Sequence, residues 1–216
     1  MTDKSSIEWT HRPGTTGATW NPIVAWRTVV DPVTRQQKRL RGWYCEHATT
    51  GCINCYSERQ NLSGARGGTG LPFKPGHRKD VEIELHEPTL LKPLSWRKPH
   101  TIFVCSMTDL FGEWVTDAMI DKVLAVAALC PQHTFQVLTK RSARMLAYMT
   151  PPGRKRTIAA TVLEIADLMA REAGTHKARP TLDHFSVCFA GDGPFRNVWF
   201  GISAERQPEW DERKQH

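Results

Sequence analysis

From residue 80 onward, apolar and polar positions follow two alternating rhythms. A compact apolar run at 101–105, Thr-Ile-Phe-Val-Cys, is rich in branched and aromatic side chains and predicts a strand. Ile120, Val123, Leu124, Ala127 and Ala128 then recur at helical spacing, predicting a helix with one apolar face, capped at Thr116 or Asp117 and ended by Pro131. A second strand is predicted at 134–138 and a helical segment from Ser142. After Pro151-Pro152-Gly153, a longer helix carries Ile158, Val162, Ile165 and Met169 on one side and ends at Gly174. Strand-like runs at 185–189 and 198–202 complete the series, and no internal repeat is evident.

Residues 1–79 read differently. The stretch to Gly42 is rich in Trp, Pro, Gly and Arg without a helical period, and predicts one short strand at 19–26 and a turn at Asp31-Pro-Val-Thr within an inserted basic segment. Residues 56–62 form a short helix stopped by Gly64. The Gly-rich run at 64–70 lacks the preceding strand and the following Lys-Ser/Thr of a phosphate-binding loop, and is expected to be a flexible connector. One α/β domain spans 1–216, its first 79 residues holding a cysteine motif and residues 80–216 the βα units.

Strands alternating with amphipathic helices imply right-handed crossovers and a mainly parallel sheet. Functional side chains of such sheets gather at the carboxyl ends of the strands. The chain supplies Ser106 and Asp109 after the first of these strands, Thr139, Lys140 and Arg141 after the second, and Ser203 and Glu205 after the last. These groups are expected to surround one site.

With 216 residues and 40% hydrophobic content, one domain of this length buries roughly 70% of its unfolded surface and needs no disulfides. The N-terminus has no apolar leader core, and the longest apolar run, 123–130, is far short of a membrane span, so a cytoplasmic protein without membrane contact is expected, in a bacterial host cell if phage-encoded. In that reducing setting six cysteines read as thiols or ligands. The net charge of +7 is uneven: Arg27, Arg35, Lys38, Arg39 and Arg41 face only Asp31, which favours a polyanionic partner such as nucleic acid.

The chemistry-bearing motif is Cys45-Glu-His-Ala-Thr-Thr-Gly-Cys52-Ile-Asn-Cys55-Tyr56. Three thiolates in one loop hold a metal centre while leaving a coordination position open. The alternatives are a structural zinc site completed by His47 or a distant residue, and three unrelated thiols. Zinc sites usually carry a second ligand pair, and none is present in the sequence. Cys105, Cys130 and Cys188 lie in or beside apolar runs and read as core. Tyr56 either stacks on a cofactor's purine or packs on its helix. Glu58 is a cofactor acceptor or a solvated carboxylate, and Asp109 a ligand residue or a turn cap. Lys140 and Arg141 bind a carboxylate or phosphate, or simply start a helix. Trp9, Trp20, Trp43, Trp96, Trp114 and Trp199 offer a stacking surface for bases or, by default, core packing.

Six blocks in fixed order, Ile7-Glu-Trp-Thr, Thr19-Trp-Asn-Pro, Gly51-Cys-Ile-Asn-Cys-Tyr-Ser-Glu58, Cys105-Ser-Met-Thr-Asp-Leu-Phe111, Phe135-Gln-Val-Leu-Thr-Lys-Arg141 and Asn197-Val-Trp-Phe-Gly-Ile-Ser203, resemble the phage Gp37/Gp68 family. That is a domain of unknown function from phages and bacteria, similar in its three cysteines and βα pattern to radical S-adenosylmethionine enzymes. The resemblance implies a partial TIM-type barrel. Cys45, Cys52 and Cys55 would ligate a [4Fe-4S] cluster whose fourth iron chelates S-adenosylmethionine, and a 5′-deoxyadenosyl radical would abstract hydrogen from an unidentified substrate. Tyr56 becomes the adenine-side residue, and Asp109, Lys140 and Arg141 meet the cofactor's polar ends or the substrate. The chain departs from radical enzymes in spacing its cysteines C-x6-C-x2-C rather than C-x3-C-x2-C, and in lacking an acidic Gly-Gly-Glu-type stretch. The resemblance further implies truncation at the C-terminus, with an exposed strand edge completed by a protein partner, or an inactive remnant. The alternative function is a zinc-stabilised nucleic-acid-binding phage protein.

Overall fold

The computed structural model describes residues 5–65, 67–172 and 195–216, with the backbone alone at 168–172. The chain runs β1 (Thr16–Trp20), β2 (Ile23–Val30), β3 (Gln37–Gly42), α1 (Tyr56–Ser63), β4 (Glu82–Leu85), α2 (Glu87–Leu90), β5 (His100–Val104), α3 (Asp117–Ala128), β6 (Thr134–Thr139), α4 (Ser142–Met149), α5 (Arg154–Glu172), β7 (Val198–Ile202) and α6 (Gln207–Arg213). The side chain of Met169, the helix end at Gly174, the predicted strand at 185–189 and Cys188 lie outside the described residues.

β1, β5, β6 and β7 form one four-stranded sheet in that order, every pair parallel. Its register aligns Ala18, Ile102, Phe135 and Val198 in one row, and Trp20, Val104, Val137 and Phe200 two residues further on. Side chains in both rows point to the same face, because the strand period is two. That face builds the core with Ile120, Val123 and Leu124 of α3 and Ile158, Val162 and Ile165 of α5, all buried at the predicted helical spacing. Thr116 caps α3, its side chain accepting from the Met119 N–H. Among the described residues β1 and β7 are the sheet's two edges and do not pair, so the fold is mixed α/β around an open parallel sheet.

The single strand expected at 19–26 is two strands in two different sheets. Pro22 has no N–H for a ladder, and the chain leaves the parallel sheet at Asn21 to enter a three-stranded antiparallel sheet ordered β3-β2-β4. The expected turn at Asp31 closes the β2/β3 hairpin: the Asp31 carboxylate accepts from the Val33 and Thr34 N–H groups.

Three cations of the basic segment have partners within the chain. Arg39 pairs with Glu82 at 2.8 Å and lies over the Trp26 ring, Arg27 donates to the Thr69 carbonyl, and Arg41 donates to Thr89. The tryptophans divide: Trp20 and Trp114 are buried, while Trp9, Trp199 and Trp210 are exposed. Trp199 carries the Arg12 guanidinium over its ring. No helix of the described residues is long and apolar enough to cross a membrane.

His133 supports the opposite end of the sheet from the cysteines. It is 1% exposed; Nδ1 accepts from the His100 N–H and Nε2 donates to the Pro93 carbonyl, which assigns a neutral ring. Burial lowers its pKa from 6.5 to about 4, with the nearby His100 acting in the same direction. Below pH 6.5 the unfolded imidazole takes up a proton that the folded one resists, so its contribution is complete above 6.5 and lost as pH falls through 4. The urea midpoint should therefore fall between pH 7 and 5 more steeply in the wild type than in His133→Gln. Equal slopes would show that His133 does not set this dependence.

Candidate functional site

The loops after β5, β6 and β7 leave the carboxyl edge of the parallel sheet together with the turn after β1, and the cysteine motif meets them there. Its backbone is set by α1. Asn61, fully buried, accepts from the Trp43 and Thr69 N–H groups and donates to Thr69 Oγ1 and the Leu71 carbonyl, using all its hydrogen-bonding capacity. It thereby ties the chain entering the motif to the Gly-rich run leaving α1. A side chain at Gly42 or Gly68 would collide with Asn61, so both glycines serve close packing. Within the run expected to be a flexible connector, Gly68 and Thr69 are buried against Asn61, with Thr69 at 0% exposure, so this part of it is packed. Asn61 carries no spacing or motif signal; only the pair of glycines that admit it hints at its role.

Glu58 is buried, not solvated. One carboxylate oxygen accepts from the Phe73 N–H and the other meets His47 Nε2 at 2.8 Å, so both are engaged and His47 is held within the motif. Cys52 lies in a 3-10 turn, Thr50–Asn54, and Cys55 caps α1 with its Sγ 2.9 Å from Ser57 Oγ. Cys52 is buried, and Cys45 and Cys55 are partly exposed; at Cys45 desolvation first, then the Asp109 charge, pushes the thiol up to about 12 while Arg141 acts the other way. Cys105 and Cys130 are core residues, as expected.

The strand-end residues converge. Cys105 adopts a left-handed conformation, φ +54°, at the end of β5, a strained choice for a residue with a side chain, and turns Ser106 and Asp109 across the edge. Asp109 is 7% exposed. Its Oδ1 accepts from Thr139 Oγ1 at 2.7 Å and the Phe111 N–H, and its Oδ2 from the Lys140 N–H and Arg141 Nη1, both at 3.1 Å. Arg141 in turn donates to the Glu46 carbonyl inside the cysteine motif and lies over the Trp114 ring. Asp109 and Arg141 are therefore joined to each other and to the motif. Tyr56 donates to the Ser106 carbonyl at 2.7 Å, yet 47% of the residue stays exposed. Burial raises its pKa. Asn21 completes this corner, exchanging hydrogen bonds with Ser106 and accepting from the Met107 N–H.

Lys140 projects differently. It is within electrostatic reach of Cys52 and Cys55, and its pKa is lowered mainly by desolvation. It is ion-paired with Glu205 and donates to Ser203 Oγ. Glu205 also accepts from Thr49 Oγ1 and stands 4.0 Å from Arg213. Glu46, Thr49, Asn21 and Arg213 were not legible beforehand, since their roles exist only once the loops meet. Among the described residues no three His, Cys, Asp or Glu side chains form a ready site for one metal ion.

Replacing Asp109 leaves the largely enclosed Arg141 guanidinium without its carboxylate and strands the Thr139, Phe111 and Lys140 donors, so Asp109→Ala should cost about 3–5 kcal/mol in urea unfolding. Asn61→Ala, which strands two N–H groups and two acceptors, should cost about 2–4 kcal/mol. A loss below about 1 kcal/mol at either position would remove it from the framework of the site.

Comparison with known proteins speaks to lineage. No curated protein and no solved structure matches the chain. A family model described as "Protein of unknown function (DUF5131)" matches residues 39–216. That span takes in the cysteine motif, α1, the strands β5 to β7 and every charged residue that meets at the carboxyl edge, so the whole constellation apart from Asn21 falls within one family. The chain belongs to the DUF5131 family.

Proposed function

We propose that this protein is an iron–sulfur enzyme of radical S-adenosylmethionine type, with Cys45, Cys52 and Cys55 as cluster ligands and a substrate still to be identified. The observation that carries the reading is the meeting of a three-thiol loop with Lys140, Asp109 and Arg141 at the carboxyl edge of a parallel sheet. On this reading the open sheet is part of an incomplete barrel that a partner chain can complete.

The donor set fits such a group. A thiol whose pKa is pushed up to about 12, as that of Cys45 is, ionises readily only for a strong Lewis acid, and the cations Lys140 and Arg141 offset the negative charge that three thiolates would gather. A cubane cluster takes its thiolates on three separate irons, whereas zinc requires four ligands converging on one point. Bound there, the cluster and S-adenosylmethionine would supply a carbon-centred radical for hydrogen abstraction. Tyr56, anchored through its hydroxyl with its ring partly open, would stack on the adenine. Asp109 would act by holding Arg141, and Glu58 by holding His47, rather than by touching a ligand. The zinc and nucleic-acid alternative draws less support, because Arg27, Arg39 and Arg41 already have internal partners.

Anaerobic reconstitution with iron and sulfide should yield the broad visible absorption of a cluster, with about four irons and four sulfides per chain. Changing Cys45, Cys52 and Cys55 together to Ala should abolish it. Absence of iron after reconstitution, one tightly held zinc, or a cluster that survives the triple change would overturn the proposal.

A further inference from the structure

Of the charged residues expected at the strand ends to meet a ligand's polar groups, Asp109, Lys140 and Arg141, two are already spent. All four acceptor positions of Asp109 are filled, and Arg141 is shared among Asp109, the Glu46 carbonyl and the Trp114 ring. Lys140, within electrostatic reach of Cys52 and Cys55, instead has side chains of the segment after β7 as its partners. Its main partner, Glu205, follows β7 and ends between Lys140 Nζ, with which it is ion-paired, and Thr49 Oγ1, which donates to it at 3.1 Å; Arg213 Nη1, which donates to the Ser203 carbonyl, adds its positive charge at 4.0 Å, and Ser203 Oγ accepts from Lys140 beside them. Gly51 gives Glu205 its room, since a side chain there would stand 2.6 Å from Glu205 Cδ.

We infer that Lys140, Thr49, Ser203 and Arg213 form a carboxylate slot beside the cysteine loop, which Glu205 fills from within the chain and which a ligand's carboxylate takes by displacing Glu205. The inference deepens the proposed function by naming the ligand chemistry of the same site. Glu205 is 29% exposed at its side chain, so it can swing outward without breaching the core. Being held by the fold beside its partners, it competes at an effective concentration well above that of an added monocarboxylate, which loses to it. A ligand with further contacts wins, and its entry releases Thr49 and with it one end of the loop that carries Cys52. Glu205 is thus an internal stand-in that keeps Lys140 and Arg213 paired until the ligand arrives. Leaving these partly buried cations unpaired would be costly.

The slot is tested by chemical rescue of metal-free protein with propionate, which reproduces the end of a glutamate side chain. Glu205→Ala should lower Tm by about 3–6 °C, and propionate on the order of 100 mM should restore about half of that loss, saturably. Wild type and Glu205→Ala/Lys140→Met should show no such rise. An equal rise in the single and double variants, or none in either, would overturn the slot. If Glu205→Ala fails to fold, Glu205→Gln keeps the shape and removes the charge. It should bind isotopically labelled propionate at least about tenfold more tightly than wild type by NMR titration, and equal affinities would refute displacement. No iron is involved, so rescue in a protein that never acquires a cluster would retain the slot and remove the iron–sulfur reading. Failure of rescue in a protein that does acquire one would do the reverse.

Discussion

The Asp109 carboxylate is the constraint on which the rest of the site depends. A buried carboxylate survives only if its lone pairs are met, and here the donors come from the turn after β5 and the end of β6. Satisfying Asp109 therefore fixes how two neighbouring strand ends are spaced. Arg141 passes that order outward through the Glu46 carbonyl, so the cysteine loop is registered on the sheet by one charge and its partner. The strained backbone of Cys105 sits at the same junction and is held by its N–H donation to the Trp20 carbonyl.

A second consequence concerns the positive charge. Read as a total, +7 suggests a surface waiting for a polyanion. In the fold, several of the cations have domestic duties: Arg39 with Glu82, Arg141 with Asp109, Arg154 with Asp117 and Asp121, and Arg12 on Trp199. Net charge is an additive quantity, whereas availability depends on what each group already touches. Lys140 differs because its pair with Glu205 stands beside the cysteine loop, where Thr49 donates to the same carboxylate. That distinction separates a residue that builds a site from one that works in it.

Local periodicity was informative wherever an element is stabilised by its own apolar face. The helix at α3, its Thr116 cap, the strands β5, β6 and β7 and the stop of α1 at Gly64 were all legible, because burying those faces needs only that some core exist. The gathering of Asp109, Thr139, Lys140, Arg141, Ser203 and Glu205 was legible as well, since parallel strands put their carboxyl ends on one side. Where two local signals competed, the reading failed. The run at 19–26 looks like one strand until Asn21 and Pro22 part it, and glycines that look loose are small because Asn61 needs the space.

By itself, then, the sequence determined the elements, their alternation and the edge of the sheet at which the polar residues collect, for periodicity and strand direction are properties of neighbouring residues. Only the tertiary structure decided which of those polar residues are occupied with one another. Glu46 and Thr49 acquire their roles through contacts with segments far along the chain, Arg141 and Glu205, and Asn61 by bridging Trp43 to Thr69 and Leu71; no local spacing encodes a partner that folding alone brings within hydrogen-bond distance.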